Sequence, residues 1–169
     1  MAKKLNFKKN AICSAIGIVL ALAAIIMFFL EFVVVKENLL GTTEAFNGFK
    51  VAFGYKEYKE VLGSQVLVAE YKAAALPLIG FILICVSAVA GLLTFIPALG
   101  KFRKIIAFAA TLLLIVAAIF VFCAVASWTK AQGVEGTELI TYKLGAGAIV
   151  AGILSIVGGL GFLGSAILK

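Results

Sequence analysis

The sequence predicts an all-α membrane protein: a four-transmembrane-helix, up-down bundle that carries a small extracytoplasmic β-hairpin or sheet cap. Three observations carry this expectation. The 169 residues are 64% hydrophobic and 14% charged, with a mean hydropathy of +1.19, whereas a soluble domain is about half apolar and about a quarter charged. A water-soluble globule of this length has too little interior to hide that much apolar side chain. Four stretches also reach the ~20 apolar residues that a bilayer-crossing helix needs. Finally, the unbalanced positive charge lies in the segments on one side of those stretches.

Residues 1–10 read as a cytoplasmic basic tail, with Lys3, Lys4, Lys8 and Lys9 and no acid. Residues 11–35 form the first span, interrupted only by Glu31. A cleaved signal peptide would also start Lys-rich, and Ala21-Leu22-Ala23 resembles a small-residue cleavage site. The apolar run continues past it through Phe28, Phe29 and Val33 to Val35, so the span is expected to be retained. Residues 36–72 form a long extracytoplasmic loop, and residues 73–99 the second span. Pro77 falls in the first turn of that span, where a missing N–H costs little, and Pro97 helps to stop it. A basic cytoplasmic link, residues 100–104, carries Lys101, Arg103 and Lys104. The third span is 105–128, ending on Trp128 as an interfacial aromatic. Residues 129–143 form the second extracytoplasmic loop and residues 144–168 the fourth span, in a single domain overall.

Charge sets the orientation. The long loop holds five Lys against five Glu, and the second holds two Lys against two Glu. The net +7 therefore comes from the tail, the link and Lys169, less Glu31. Lys and Arg in short flanking segments stay in the cytoplasm, so both termini are expected there, facing an anionic lipid leaflet. The pI of 9.4 is not read as nucleic-acid binding, because the cations are split over three short segments. Lys outnumbers Arg fourteen to one, which points to an AT-rich bacterial genome and a bacterial cell membrane. Cys13, Cys85 and Cys123 all fall inside spans and read as small packing residues rather than a disulfide framework. Cys13 lies beside Lys8 and Lys9, where lipidation is the alternative.

The long loop carries strand signals. Asn47-Gly48 between two apolar-rich runs, residues 42–46 and 49–54, reads as a type I′ hairpin turn, which needs positive φ at both positions. Residues 65–71 and 137–142 read as further strands. Two strands alone are marginal in water, so three to five are expected to pack on the outer helix ends.

Helices in lipid associate through close backbone approach at small residues. Gly147, Ala151, Ser155 and Gly159 recur every four residues along one face of the fourth span, and Ser87 and Gly91 do so in the second. Packing inside the chain's own bundle is the ordinary reading of these residues. Self-association or docking on another membrane protein is the sharper one. Tyr71-Lys72 and Tyr142-Lys143 open the second and fourth spans alike, a match that the small alphabet of membrane segments and their interfacial anchors explains.

Glu31 is the one acid inside a span, and an intramembrane acid is a functional candidate. Placed eight residues beyond the span centre at roughly 1.5 Å per residue, it falls near the outer boundary of the hydrocarbon. The chain has no His and no Asp, which excludes Ser-His triads, His-based metal sites and paired-Asp catalysis. No phosphate-cradling loop and no metal-ligand spacing occurs, so neither catalysis nor a cofactor is expected.

Four spans, both termini inside, a longer first outer loop rich in strand signals and a shorter second one are similar in topology to claudin-type tetraspans. The claudin signature of the first loop, a Trp, then Gly-Leu-Trp, then two Cys, is missing. Asn47-Gly48-Phe49 occupies a similar place, and no functional residue is carried over. The expected function is that of a non-enzymatic structural or interaction protein, or an accessory subunit, with the bilayer and either a second copy or another membrane protein as partners. The alternative is a small oligomeric transporter or channel using Glu31.

Overall fold

The computed structural model describes residues 2–39, 41–61, 64–96, 99, 102–134 and 139–167, with backbone alone at 2–9 and 61. The protein is mostly helical with a small amount of sheet. Long runs of Ala, Leu, Ile and Gly make four long helices: α1 (Ala2–Ile26), α3 (Ala75–Leu93), α4 (Arg103–Phe122) and α6 (Ala146–Ile167). The segments Asn10–Phe29, Ala75–Leu93, Arg103–Phe122 and Ala146–Ile167 are long and apolar enough to cross a membrane.

These helices pack against one another, with α6 touching both α1 and α4, and α3 touching both α1 and α4. Hydroxyl groups tie the helices together. Ser14 Oγ donates to Ser165 Oγ at 2.7 Å, joining the first half of α1 to the end of α6. Ser87 Oγ donates to the Ala110 carbonyl at 2.9 Å across α3 and α4. Thr111 Oγ1 lies 3.0 Å from the Ala107 carbonyl of its own helix and 3.1 Å from the Gly159 carbonyl of α6. Phe162, in the last two turns of α6, is fully buried against α1 and α3. It fits because a Cβ on Gly17 would stand 3.0 Å from its ring and one on Gly91 2.5 Å from it.

The strands gather at one end of the bundle, five of them among the described residues, divided between two sheets. β1 (Glu31–Glu37) lies between β2 (Thr43–Asn47) and β5 (Ile140–Leu144), both antiparallel to it. Val35 stands opposite Glu44 on one side and Tyr142 on the other. β3 (Tyr55–Val61) and β4 (Ser64–Tyr71) form a separate antiparallel hairpin. The strands anticipated at 65–71 and 137–142 correspond to β4 and β5. Of the second, residues 137 and 138 lie outside the described residues, as do Pro97, Lys101 and Lys169.

Three sequence expectations are corrected. The first span does not run as helix to Val35. The helix ends at Ile26, a single 3₁₀ turn covers Met27–Phe29, and Leu30 is already extended at φ −89°, ψ 176°. Phe32, Val33, Val34 and Val35 are aromatic and β-branched residues that favour a strand, and hydrophobicity alone does not separate a buried strand from a helix. The basic segment 1–10 is helical from Ala2 and runs into α1, and the stretch apolar enough to cross a membrane begins at Asn10. The third span is interrupted at Cys123, and a new helix, α5 (Ala124–Gln132), carries the chain into the cap before Gly133, at φ 68°, ends it.

Asn47-Gly48 makes no hairpin turn. Asn47 is extended at φ −71°, ψ 163°, and its side chain accepts a hydrogen bond from the Lys50 N–H at 2.8 Å. It is the N-cap of a six-residue helix, α2 (Gly48–Phe53), a role for which Asn is among the best residues. Gly48 is required by space, not by φ: a Cβ there would stand 2.7 Å from Phe28 Cδ1 and 2.9 Å from Phe28 Cα. β2 therefore pairs with β1, not with the residues that follow it.

Candidate functional site

The strand-bearing end is organised around aromatic rings. Alternation along the strands puts Val33 and Val35 of β1, Glu44 and Phe46 of β2, and Tyr142 and Leu144 of β5 on one face, in cross-strand rows. Trp128, projecting from α5, packs on that face and is 4% exposed. Its ring lies 5.2 Å from Phe46, 5.7 Å from Tyr142 and 6.4 Å from Tyr71 between centroids. Tyr71 stacks on Tyr55 at 4.6 Å and 11°, joining the base of the β3–β4 hairpin to the cluster. Burial, then Tyr71 and its hydrogen bond, then Glu57 and Glu44 push the Tyr55 hydroxyl far above its ordinary range, so it stays neutral.

Polar groups fasten the hairpin to the helices. The Gln132 side chain accepts from the Lys72 N–H at 3.1 Å and donates to the Lys72 carbonyl at 2.7 Å, acting as a one-residue strand partner. Ser127 Oγ accepts from the Leu76 N–H at 3.2 Å, satisfying one of the donors that the start of α3 leaves without an intrahelical partner. Lys56 and Glu70, opposite each other across the hairpin, form an exposed salt bridge at 3.0 Å. Their hydrogen bond and charge raise the Lys56 pKa.

Among the described residues no strand ladder joins the two sheets. The Glu37 N–H donates to the Thr42 carbonyl at 2.9 Å. Pairs alternate along an antiparallel ladder, so Val35–Glu44 and Val33–Phe46 are the hydrogen-bonded pairs that follow. Thr43 and Ala45 consequently turn their backbone N–H and C=O away from β1. Between this open edge and β3 lies a cavity of about 560 Å³, lined by Glu44, Ala45, Phe46, Lys50 and residues 55–58. A second recess of about 460 Å³ lies between the sheet face, β4 and α5, and shares Glu44 and Phe46 with the first. At the base of the seam the rings of Phe46 and Tyr55 are 6.1 Å apart, and Lys50 Nζ sits 4.5 Å from the Tyr55 ring centroid.

Glu31 is not on a helix. It opens β1 opposite Asn47, is exposed, and lines a recess of about 380 Å³ with Asn47 and Lys50. Its depth as a helical residue therefore does not apply. Gly147, Ala151, Ser155 and Gly159 are all buried within the chain, as are Ser87 and Gly91. Gly147 seats the first turn of α6 against the junction of α1 and β1, where a Cβ would stand 2.8 Å from the carbonyl oxygens of Met27 and Glu31. Gly145, just before α6, admits the Glu31 carbonyl still more closely. Gly159 faces α4, with a Cβ placed 3.4 Å from the Thr111 carbonyl. Ser155 donates back to the Ala151 carbonyl at 2.8 Å within α6.

Sequence reasoning did not find the ring cluster. Its only trace was that Tyr71, Trp128 and Tyr142 stand at span ends, which interfacial anchoring explains equally well. Compared with known proteins, the chain matches no family model, and no curated protein matches it.

Proposed function

We propose that this is an integral membrane protein of non-enzymatic structural, interaction or accessory-subunit type. In this reading the four long helices cross the bilayer as an up-down bundle with both termini in the cytoplasm, and they hold the two sheets outside as a contact surface. One observation carries it above the rest. β1 follows α1 after a single 3₁₀ turn and is clamped on both sides, by β2 and by β5. A mount of this kind presents a fixed strand surface to another protein. The charge pattern supports the orientation, because unbalanced Lys and Arg flank the helix ends remote from the strands. The likeness to claudin-type tetraspans is one of layout alone.

Transport through Glu31 gains less support. The acid lies on a strand, and Phe162 packs between α1 and α3 on its glycine seats. Cross-linking in the native membrane, extraction in mild detergent and mass spectrometry test the proposal. A foreign membrane protein recovered at fixed stoichiometry, with cross-links mapping to residues 31–72 and 139–144, is the expected outcome. Self-cross-linked species joined only through the helices would contradict it.

A further inference from the structure

The seam between β2 and β3 has the form of a vacant strand position. We propose that it receives an extended segment of a partner polypeptide, added as a strand between the two edges, with a Lys or Arg of that segment meeting Glu44 and Glu57. The inference rests on the reading of the protein as an interaction protein and names the chemistry of its partner.

Three features converge on this occupant. The first is the backbone. Thr43 and Ala45 point their N–H and C=O groups out of the sheet toward the seam, and an open edge of this kind is a template for another strand. Natural edges are commonly blunted by charged side chains, above all Lys, and by Pro. β2 reads Thr43-Glu44-Ala45-Phe46-Asn47, with neither Lys nor Pro and with Glu44 as its one charge. The two edges do not close on each other, because the Phe46 and Tyr55 rings and the Lys50 side chain occupy the base of the seam.

The second is size. A strand fills about 4.8 Å by 10 Å by 3.3 Å, or roughly 160 Å³, per residue. The cavity of about 560 Å³ thus takes three to four residues of extended chain. The third is charge. Of the four charged residues lining the seam, Lys56 is held by Glu70 at 3.0 Å and Lys50 lies over Tyr55. Glu44 and Glu57 remain as the carboxylates facing the opening, and they favour a cationic side chain through charge-assisted hydrogen bonds.

The test uses the full chain in zwitterionic lipid nanodiscs and the capped peptide Lys-Val-Lys-Val-Lys-Val. Trp128, the only tryptophan in the chain, reports from 5.2 Å beside Phe46. Saturable quenching is expected, absent with empty discs and weakened at least tenfold by Ala45→Pro. Pro removes the outward N–H at an edge position that tolerates it. The same peptide methylated on every second amide keeps its charge but loses strand pairing, and it should also bind at least tenfold more weakly. This arm does not depend on how the variant folds. Equal binding by the methylated peptide, or no saturable response at all, overturns the seam assignment. If native-membrane cross-links to a partner persist in that case, the interaction reading stands without the seam. If they too are missing, that reading fails.

Discussion

The bundle and the cap are held together by opposite means. In the bundle the contacts are small: Gly17, Gly91, Gly152, Gly158 and Gly161 let backbones and single rings approach, and serine and threonine hydroxyls satisfy carbonyls. In the cap the contacts are large, with Phe46, Tyr55, Tyr71, Trp128 and Tyr142 meeting ring on ring over paired strands. With the bundle in the bilayer and the cap outside it, as proposed, the contrast follows from the solvent each region meets. Among lipid tails apolar burial gives no net drive between helices, so close packing must supply it. Where water is present, burying aromatic area drives folding directly. The two regimes meet at the ends of α1 and α6. There Phe28 packs on Phe32 at 4.4 Å and on Phe81 at 5.0 Å, and Gly48, Gly145 and Gly147 admit the chain around them.

Substitutions can break each region separately. Trp128→Ala empties the centre of the cap, and loss of a buried large aromatic costs about 3–5 kcal/mol. Residues 36–72 should become rapidly cleaved by trypsin while the four helices stay protected; concerted loss of both would erase the distinction between the regions. Gly48→Asn discriminates the packing role of this glycine from the turn role, because a type I′ turn accepts Asn. Against Phe28 the added side chain should destabilise the cap by about 1–3 kcal/mol. Gly133→Asn is the control: it sits at φ 68° with nothing within 4 Å of an added Cβ, and should change thermal unfolding little. Inside the bundle, Ser14→Ala removes the hydrogen bond to Ser165. Hydrogen bonds between membrane helices average about 0.6 kcal/mol, so unfolding in detergent should shift only slightly.

How much of this was legible in the sequence depended on the region. The four helices were readable because an apolar run of about 20 residues has one dominant solution, and the buried face at Gly147, Ala151, Ser155 and Gly159 repeats at helical spacing. The cap was legible only in part. Residues 65–71 announced themselves by β-rich composition, but residues 31–35 did not, since Phe32 to Val35 prolong an apolar run that reads equally as helix. Asn47-Gly48 misled because the same dipeptide serves a hairpin turn and an N-cap followed by a tightly packed glycine. What decides between them is Phe28, distant in sequence and invisible to local pattern. The ring cluster was hidden for the same reason: its members come from β2, β3, β4, α5 and β5, and only the pairing of β1 with both β2 and β5 brings them together.

Residue-resolved amide exchange of the full chain in nanodiscs tests the cap architecture most directly. Glu44 and Phe46, whose amides point to β1, should exchange slowly together with Val34 and Lys36, which point to β5. Thr43 and Ala45 should exchange rapidly, since they face the seam. Slow exchange at Ala45 in the unliganded protein would mean that β2 is already paired with β3, and uniformly fast exchange through residues 31–47 would mean that β1 and β2 form no sheet; either result would contradict a cap built as two sheets with an open edge between them.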